Sequence, residues 1–175
     1  MQFAVIYPQN QTILNMCREY GEIIMSEKKH RNPIPTIDAI IHNEKNQILF
    51  VKRPNDPFKN QLSLPGGFVK YGERIEDALR REVKEETSLN VEPFEILGVY
   101  SDPDRDPRGH IISTVFVCLV MDNLKGKAGF SAREMCWIHL NEIDSNTFAF
   151  DHKMIIEDYL KWRFQNSTHW SSKSR

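Results

Sequence analysis

The chain has 175 residues, enough for one domain with a hydrophobic core of its own. Apolar residues make up 40% of the sequence and charged residues 27%, a composition typical of globular proteins. The net charge of −1 argues against a general nucleic-acid or membrane-surface role, because such roles need a basic excess. No apolar run approaches the length of a membrane-spanning helix.

The three cysteines, Cys17, Cys118 and Cys136, are widely spaced and odd in number. They are therefore expected to be free thiols in a reducing compartment, not a disulfide framework or a zinc site. The first residues lack the basic start and the long apolar run of a secretion signal. These patterns predict a cytoplasmic protein.

Residues 1–33 carry the weakest pattern and end in a basic stretch punctuated by prolines, so they are expected to form an N-terminal extension or arm. Two strands are predicted next, at residues 36–41 and 47–51, and the polar residues between them predict a hairpin. Arg53 follows the second strand, either as a phosphate contact or as an ordinary surface cation.

The stretch 64–89 (LPGGFVKYGERIEDALRREVKEETSL) combines a glycine turn with a helix rich in carboxylates. Pro65, Gly66 and Gly67 end an apolar run and predict an unusual backbone path. From Ile75 the periodicity predicts a helix. Its apolar face carries Ala78, Leu79, Val83 and Leu89, and its polar face is assigned to Glu76, Asp77, Arg80, Lys84 and Thr87.

Three glutamates of this helix do not follow the simple amphipathic pattern. At about 100° per residue, Glu82 and Glu86 fall inside the apolar stripe and Glu85 lies at its edge. Burying unpaired carboxylates costs several kcal/mol, so a cation is expected beside them. Converging carboxylates suit Mg²⁺ or Mn²⁺. The alternative is a charged surface helix stabilised by salt bridges.

The same stretch resembles the signature box of the Nudix hydrolases. In that box a glycine is followed after five residues by glutamate, and after seven more by an Arg-Glu-aliphatic-x-Glu-Glu-x-Gly-aliphatic run. The corresponding residues here are Gly67, Glu73, Arg81, Glu82, Val83, Glu85, Glu86, Ser88 and Leu89. Ser88 departs from the pattern, since the family usually has glycine where the helix ends. Serine there lowers stability somewhat and removes no ligand.

The resemblance implies a role for each polar residue of the box. The implied metal ligands, with Mg²⁺ as the metal and Mn²⁺ as a substitute, are Glu82, Glu85, Glu86 and the backbone carbonyl of Gly67. Glu85 and Glu86 are also implied as catalytic residues, together with Glu134, which is implied as general base or as a further metal ligand. Glu73 and Arg81 are expected to pair and to hold the loop against the helix.

Beyond the box, residues 93–101 and 110–121 are predicted as strands, and the loop between them reads SDPDRDPRGH. This loop resembles the DPRGH-type loop of Nudix enzymes that act on ADP-ribose. The resemblance implies substrate contacts from Arg105, Arg108 and His110, with Arg53 as a further one. The alternative is a polar loop with internal Asp/Arg pairing. Candidates for an adenine clamp are Phe68, Tyr100 and Phe150.

The rest of the chain predicts a short strand at 136–140 and a closing helix at 148–165. The apolar stripe of this helix is expected at Ile155, Ile156, Tyr159, Leu160 and Phe164. His152, near its start, is expected to be structural instead of catalytic. Residues 166–175 form a polar tail that is expected to be disordered.

These patterns predict an α/β (α+β) protein, and the resemblance implies a Nudix domain at residues 34–165. As the resemblance implies it, the fold is an α/β/α sandwich with a mixed sheet. The implied activity is Mg²⁺-dependent hydrolysis of a nucleoside diphosphate derivative, foremost ADP-ribose, to AMP and ribose 5-phosphate. The alternatives are hydrolysis of nucleoside triphosphates or dinucleotide polyphosphates, and a non-catalytic ligand sensor. The expected partner is a small-molecule nucleotide, with no nucleic acid and no membrane, and the resemblance implies a homodimer.

Overall fold

The computed structural model describes residues 32–121 and 134–165 in full and residues 169–170 in their backbone. The chain divides into two units, Met1–Asn32 and Pro33–Arg175, and the fold below is that of the second unit. The predicted arm at 1–33 and the predicted tail at 166–175 lie almost entirely outside the described residues, as does Cys17. Their boundaries stay predictions.

The described part of the chain contains the predicted strands and helices in their predicted order. The strands are β1 (Ile34–Ile41), β2 (Gln47–Lys52), β3 (Leu62–Ser63), β4 (Gly66–Phe68), β5 (Val91–Tyr100), β6 (Ile111–Val120), β7 (Met135–His139) and β8 (His169–Trp170). The helices are α1 (Ile75–Thr87), a 3-10 helix (Leu140–Ser145) and α2 (His152–Gln165). Strands β3, β4 and β8 and the 3-10 helix are present in addition to the predicted elements. Within residues 32–121 and 134–165, none of the helices has the length and apolar character needed to cross a bilayer.

The strands form two sheets. The larger sheet has the order β4-β1-β6-β5-β8, and the smaller one has the order β3-β2-β7. In the larger sheet β1 runs parallel to β6 and antiparallel to β4, so this sheet is mixed, as predicted. The smaller sheet is antiparallel. Strand β6 lies in the middle of the larger sheet, which accounts for its long apolar sequence.

The predicted hairpin of β1 and β2 is wrong, although both strands are present. The two strands belong to different sheets, and an isolated bridge between His42 and Ile48 links them. Both edges of β1 are taken by β4 and β6, while β2 pairs with β3 and β7. Short polar connections indicate a turn, but the partners of each strand depend on contacts that are distant in sequence.

The sheets lie between the two long helices. Strand β2 sends alternate side chains to two hydrophobic clusters. Leu49 packs in one cluster with Leu79 and Val83 of α1. Phe50 packs in the other with Ile155 of α2. This arrangement is the predicted α/β/α sandwich.

Helix α2 begins at His152, later than predicted. The backbone N–H of Ala149 donates to the carbonyl of Leu62 at 2.8 Å, so the chain before the helix is engaged with β3.

The predicted apolar stripe of α2 is also partly wrong, since Phe164 is 91% exposed while Trp162 is buried. Periodicity places Phe164 on the apolar stripe, but this residue lies near the end of the helix and is exposed.

Two cysteines lie in the described residues. Both Cys118 and Cys136 are free thiols, in agreement with the prediction. Cys118 is buried in the cluster that packs on α1, and its burial raises the pKa of its thiol to about 12. It is therefore a packing residue.

Candidate active site

Strand β4 brings the two glycines of the box against α1 and β1. A Cβ atom at Gly67 would lie 2.5 Å from Oε2 of Glu82, so that carboxylate occupies the space that a side chain would need. A Cβ atom at Gly66 would overlap the carbonyl oxygen of Ile37 and lie 2.7 Å from Oδ1 of Asp38. Neither glycine has a positive φ. Both positions therefore require glycine for close approach and not for an unusual backbone angle.

The three box glutamates of α1 lie where helical periodicity predicts them. Glu86 is 4% exposed, and its Oε2 accepts a hydrogen bond from the N–H of Gly66 at 3.2 Å. The side chain of Glu82 is 17% exposed and that of Glu85 is 52% exposed. The prediction that Glu82 and Glu86 face inward, with Glu85 at the edge, is confirmed.

The assignment of Thr87 to the polar face is wrong. Its side chain is fully buried, and its Oγ1 donates to the carbonyl of Val83 at 2.6 Å and accepts from the N–H of Leu89 at 3.2 Å. A hydroxyl that bonds to its own helix can be buried at low cost. Ser88 follows with φ at 59°, in the left-handed region.

Arg81 joins the box loop to the helix. Its Nε and Nη2 donate to the Glu73 carboxylate at 2.7 and 2.8 Å. It also donates to Glu82 Oε1 at 2.6 Å and to the carbonyl of Phe68 at 3.0 Å. The hydrogen bond from Arg81, followed by that from the Lys70 N–H, lowers the pKa of Glu73 to about 2. The predicted pairing of Glu73 with Arg81 is confirmed.

The donor chemistry of this helix face fits a divalent metal ion. Carboxylate and carbonyl oxygens are the ligands that Mg²⁺ and Mn²⁺ prefer, and the Glu82 carboxylate lies against Gly67 with no side chain between them. Within the described residues, however, no three acidic, histidine or cysteine side chains converge into a ready metal cluster. Glu82 is turned towards Arg81 and Glu86 towards Gly66. The predicted convergence of the carboxylates is therefore not observed in the described residues.

A pocket opens beside the box. Its lining includes three arginines, three carboxylates and two aromatic rings: Arg53, Arg105, Arg108, Asp38, Glu82, Asp106, Phe68 and Phe150. Gly66 and Gly67 line it as well. The box and the loop at 101–110 thus face one cavity, which places cations suited to phosphate near carboxylates suited to a metal.

Both loop arginines have carboxylate partners. The side chain of Arg105 is 4% exposed, and its Nε and Nη2 donate to Asp151 at 2.8 and 2.6 Å. Arg108 is more open and pairs with Asp106 inside the loop, with Nη2 at 2.6 Å from Oδ2. Burial alone would raise the pKa of Asp106, but the hydrogen bonds from Arg108 hold it below its usual range. The internal Asp/Arg pairing weighed as an alternative is present, and both arginines still line the pocket.

Aromatic rings support the cations of the pocket. The guanidinium carbons of Arg53 and Arg108 lie 4.7 and 5.2 Å from the ring centroid of Phe150, and that of Arg108 lies 5.2 Å from the ring of Phe68. The prediction of Tyr100 as the third candidate for the adenine clamp is wrong. It is 1% exposed, belongs to the core and does not line the pocket.

Four residues implied by the resemblance do not line this pocket: Glu85, Glu86, His110 and Glu134. His110 is exposed, with its Nε2 at 3.3 Å from the carbonyl oxygen of Ser101. Glu134 forms an exposed ion pair with Lys52, at 3.2 Å between Oε2 and Nζ. In this conformation neither residue is brought to the cavity.

Sequence reasoning missed Asp38 and Asp151 as residues of the site. Oδ2 of Asp38 accepts a hydrogen bond from Ser113, and its Oδ1 lies 3.9 Å from Nε2 of His152. The sequence feature that could have indicated Asp38 is its position as a carboxylate inside the apolar strand TIDAII. Burial lowers the pKa of His152, whose Nδ1 accepts the N–H of Leu64 at 2.9 Å. His152 thus has the structural contact that was predicted for it.

Comparison with known proteins gives consistent matches. The NUDIX domain model matches residues 32–159. An ADP-ribose pyrophosphatase of Methanocaldococcus jannaschii is 48% identical over 141 residues, which span 78% of this chain and 80% of that protein. The ADPR responsive transcriptional repressor NtrR of Acinetobacter baylyi is 25% identical over 165 residues, which span 91% of this chain and 66% of that protein.

A solved structure has the same fold. The NUDIX domain of Shewanella oneidensis NrtR, in a cocrystal with ADP ribose, superposes with a TM-score of 0.68 at 24% identity. The superposition covers 85% of this chain and 99% of that domain. The family model and the sequence relative agree with the box on α1. The chain therefore belongs to the Nudix hydrolase family.

Proposed function

We propose that this chain hydrolyses ADP-ribose to AMP and ribose 5-phosphate, with Mg²⁺ as its metal ion and Mn²⁺ as a substitute. The observation that carries the proposal is the 48% identity to the Methanocaldococcus jannaschii ADP-ribose pyrophosphatase over most of both chains. The pocket adds physical support because its carboxylates and its arginines face one cavity. A pyrophosphate substrate needs both, as oxygen ligands for a metal and as cations for phosphate oxygens.

Nudix hydrolases in general depend on a divalent metal ion. In this chain the proposed ligands are Glu82, Glu86 and the carbonyl of Gly67, with Glu85 as a further one. When bound, the ion would neutralise pyrophosphate charge and lower the pKa of a coordinated water. Arg81 holds the loop against the helix through its bonds to Glu73 and Glu82, which fixes the positions of these ligands.

The proposed reaction breaks one P–O bond of the pyrophosphate bridge. The oxygen of a water molecule bonds to one phosphorus atom, the bridging oxygen leaves with the other phosphate, and a proton of the water passes to a base. Glu85, Glu86 and Glu134 are the proposed groups for that proton. Glu134 has to separate from Lys52 to take part, because their ion pair lies away from the pocket.

The proposed contacts to the substrate follow the lining of the pocket. Arg53 and Arg108 bind phosphate oxygens, since both guanidinium groups lie within the cavity on the ring of Phe150. Phe68 and Phe150 are the proposed adenine clamp, and in this conformation both rings carry the guanidinium group of Arg108. Arg105 acts chiefly by holding the loop, because Asp151 already takes its hydrogen bonds. The role of His110 stays a prediction.

Similarity to the repressor favours a second candidate function, ADP-ribose binding without turnover. The matched region covers 66% of that protein, so the repressor has further sequence beyond the match. The complete set of glutamates in the box favours catalysis over sensing. Hydrolysis of nucleoside triphosphates or dinucleotide polyphosphates is the remaining alternative.

The test is a substrate panel. Purified protein with Mg²⁺ is mixed separately with ADP-ribose, NADH, a diadenosine polyphosphate and dNTPs, and products are followed by chromatography. We expect AMP and ribose 5-phosphate from ADP-ribose, and no product when EDTA replaces Mg²⁺. Faster turnover of another member would move the assignment to that substrate. Calorimetric binding of ADP-ribose with no product would favour the sensor.

We also propose that the chain acts as a homodimer in the cytoplasm and binds neither nucleic acid nor membrane. Its net charge of −1 gives no basic excess. Exposed apolar side chains on β5, on β6 and directly after β6 offer a surface for self-association: Phe94, Ile96, Leu119 and Met121. Light scattering after size exclusion measures the mass, and the mass of one chain would contradict the dimer.

A further inference from the structure

Three consecutive residues, of which the last begins α2, contact different sides of the pocket. Phe150 and His152 line it, and Asp151 holds Arg105. We propose that Phe150, Asp151 and His152 form a positioning unit that couples the arginine-bearing loop at 101–110 to the glycine-bearing strand β4. The identity of the ligand held between loop and strand rests on the proposed function.

Asp151 fixes the loop side of the pocket. Its carboxylate accepts hydrogen bonds from Nε and Nη2 of Arg105 at 2.8 and 2.6 Å, and the two side chains are 13% and 4% exposed. A paired guanidinium and carboxylate with two parallel bonds has one well-defined geometry. Asp151 therefore fixes the Arg105 guanidinium, and through it the loop that also carries Arg108.

His152 fixes the strand side. Its Nδ1 accepts the N–H of Leu64 at 2.9 Å, directly before Pro65 and the two glycines. Since Nδ1 is the acceptor, the proton of the neutral ring lies on Nε2, which faces Oδ1 of Asp38 at 3.9 Å. Ser113 donates to the other oxygen of Asp38. The segment entering β4 is thus held by His152 from one side and by β1 from the other, where the N–H of Ala39 donates to the carbonyl of Pro65 at 2.8 Å.

Phe150 connects the two sides. Its φ is 54°, in the left-handed region that residues other than glycine rarely adopt. In this conformation its ring lies under the guanidinium groups of Arg53 and Arg108 and 5.4 Å from the ring of His152. The backbone of residues 150–152 therefore positions the loop at 101–110, the ring of Phe150 and strand β4. These three parts are expected to shift together.

The strand side is tested with two substitutions of His152. In His152→Asn the amide oxygen can replace Nδ1 as acceptor for Leu64, whereas in His152→Gln the amide falls nearer the position of Nε2. We expect exchange of the Leu64 amide hydrogen, measured by NMR, to rise about 5-fold in the Gln variant and to stay near wild type in the Asn variant. Equal exchange in the two variants would overturn the assigned contact.

Two further readouts separate positioning from general stability. Amides of the central strand β6 should exchange at wild-type rates in both variants, because the change is local. In the hydrolysis assay, His152→Gln should lower kcat about 10-fold with KM for ADP-ribose unchanged, and His152→Asn should restore most of the loss. A uniform rise in exchange over β6 would mean that His152 acts only through global stability.

Coupling is tested with Asp151→Asn, which weakens the loop contact and leaves the Leu64 contact in place. If the three residues form one unit, exchange at Leu64 should also rise, about 3-fold, although Asp151 does not touch Leu64. Unchanged exchange there would overturn the coupling. Should this variant fail to fold, the double variant Arg105→Gln with Asp151→Asn removes both buried charges and allows the same measurement.

The two proposals fail in different ways. If the wild-type chain releases no AMP from ADP-ribose, the proposed function is wrong, while the exchange measurements still decide the positioning unit. If hydrolysis proceeds and Leu64 exchange is insensitive to both His152→Gln and Asp151→Asn, the positioning unit is wrong and the proposed function stands.

Discussion

At Glu86 the charge of the side chain can be separated from its hydrogen bond. In Glu86→Gln the amide oxygen can still accept the N–H of Gly66, but the negative charge of a proposed metal ligand is gone. We expect kcat to fall about 10³-fold with little change in the thermal midpoint. Glu142→Gln, exposed on the 3-10 helix, is the control and should keep wild-type turnover. Near-wild-type turnover in Glu86→Gln would contradict the metal role.

Glu73 links the box to stability in acid. Its pKa is about 2 in the folded chain, against 4.5 for an unperturbed glutamate, because Arg81 favours the ionised form. A lowered carboxyl pKa gives stabilisation that is complete above about pH 4.5 and is lost as the pH falls towards 2. The urea midpoint should therefore decline more steeply over this range in wild type than in Glu73→Gln. Parallel profiles in the two proteins would count against the pairing.

Residue positions could be predicted where the physics is local. Helix periodicity placed Glu82 and Glu86 on the inner side of α1 because the angle between successive side chains is fixed. Helix periodicity could not identify Asp38 and Asp151 as residues of the site, because their partners are distant in sequence. The assignment of Thr87 to the polar face was wrong for another reason. Its hydroxyl donates to a carbonyl of its own helix, so the side chain can be buried as an apolar one would be.

The elements β4 and α1 meet so closely that two adjacent glycines should respond differently to the same change. In Gly66→Ala the new Cβ meets the backbone of Ile37 and Asp38, so we expect a stability loss of about 1–3 kcal/mol. In Gly67→Ala the three nearest atoms belong to the Glu82 carboxylate, the far end of a flexible side chain that can move. We expect wild-type-like thermal stability there, but turnover at least about 10-fold lower. Similar melting and turnover losses in both variants would contradict this division.

The C-terminal end of α1 allows a gain in stability. Ser88 ends the helix with φ at 59°, where an L side chain is strained and glycine is not. Ser88→Gly should raise the free energy of unfolding by about 0.5–1 kcal/mol, measured by urea denaturation. Ser88→Ala keeps the strained angle and serves as the control. A stability loss in Ser88→Gly would mean that the serine side chain contributes more than the angle costs.

Predicting elements was more successful than predicting how they pair. Apolar runs separated by a polar turn correctly indicated β1 and β2, but these two strands are not paired in one sheet. The start of α2 was missed because Ala149 bonds to Leu62, a contact that no local pattern reveals. The loop at 101–110 was identified by its composition, whereas its pairing with Asp151 depends on the tertiary fold.

The whole domain should unfold as one unit, because β2 contributes to both hydrophobic clusters. Leu49→Ala removes a buried side chain from the cluster on α1, at a cost of about 2–5 kcal/mol. Phe50→Ala removes one from the cluster on α2, at about 3–5 kcal/mol. In each variant, circular dichroism and tryptophan fluorescence should report coincident transitions. Two separate transitions in either variant would show that the layers unfold independently.

The overall architecture could be predicted largely because the box resembles a known family, while the arrangement of the pocket could not. The resemblance implied an α/β/α sandwich, and the two clusters on opposite sides of the sheets match it. It did not reveal that Glu82 is turned towards Arg81, or that Glu134 is paired with Lys52. Side-chain orientation depends on neighbouring charges from several elements, and these meet only in the folded chain.

The alternation along β2 also constrains how the chain can change in length during evolution. Deleting one residue from this strand would turn every later side chain to the opposite face, so that residues of the two clusters would exchange places. Strand β5 differs, because its register shifts between Pro93 and Glu95 and again between Ile96 and Gly98. Such bulges absorb an extra residue without reversing the faces that follow. Insertions and deletions among homologous sequences should therefore occur in β5 and be absent from β2.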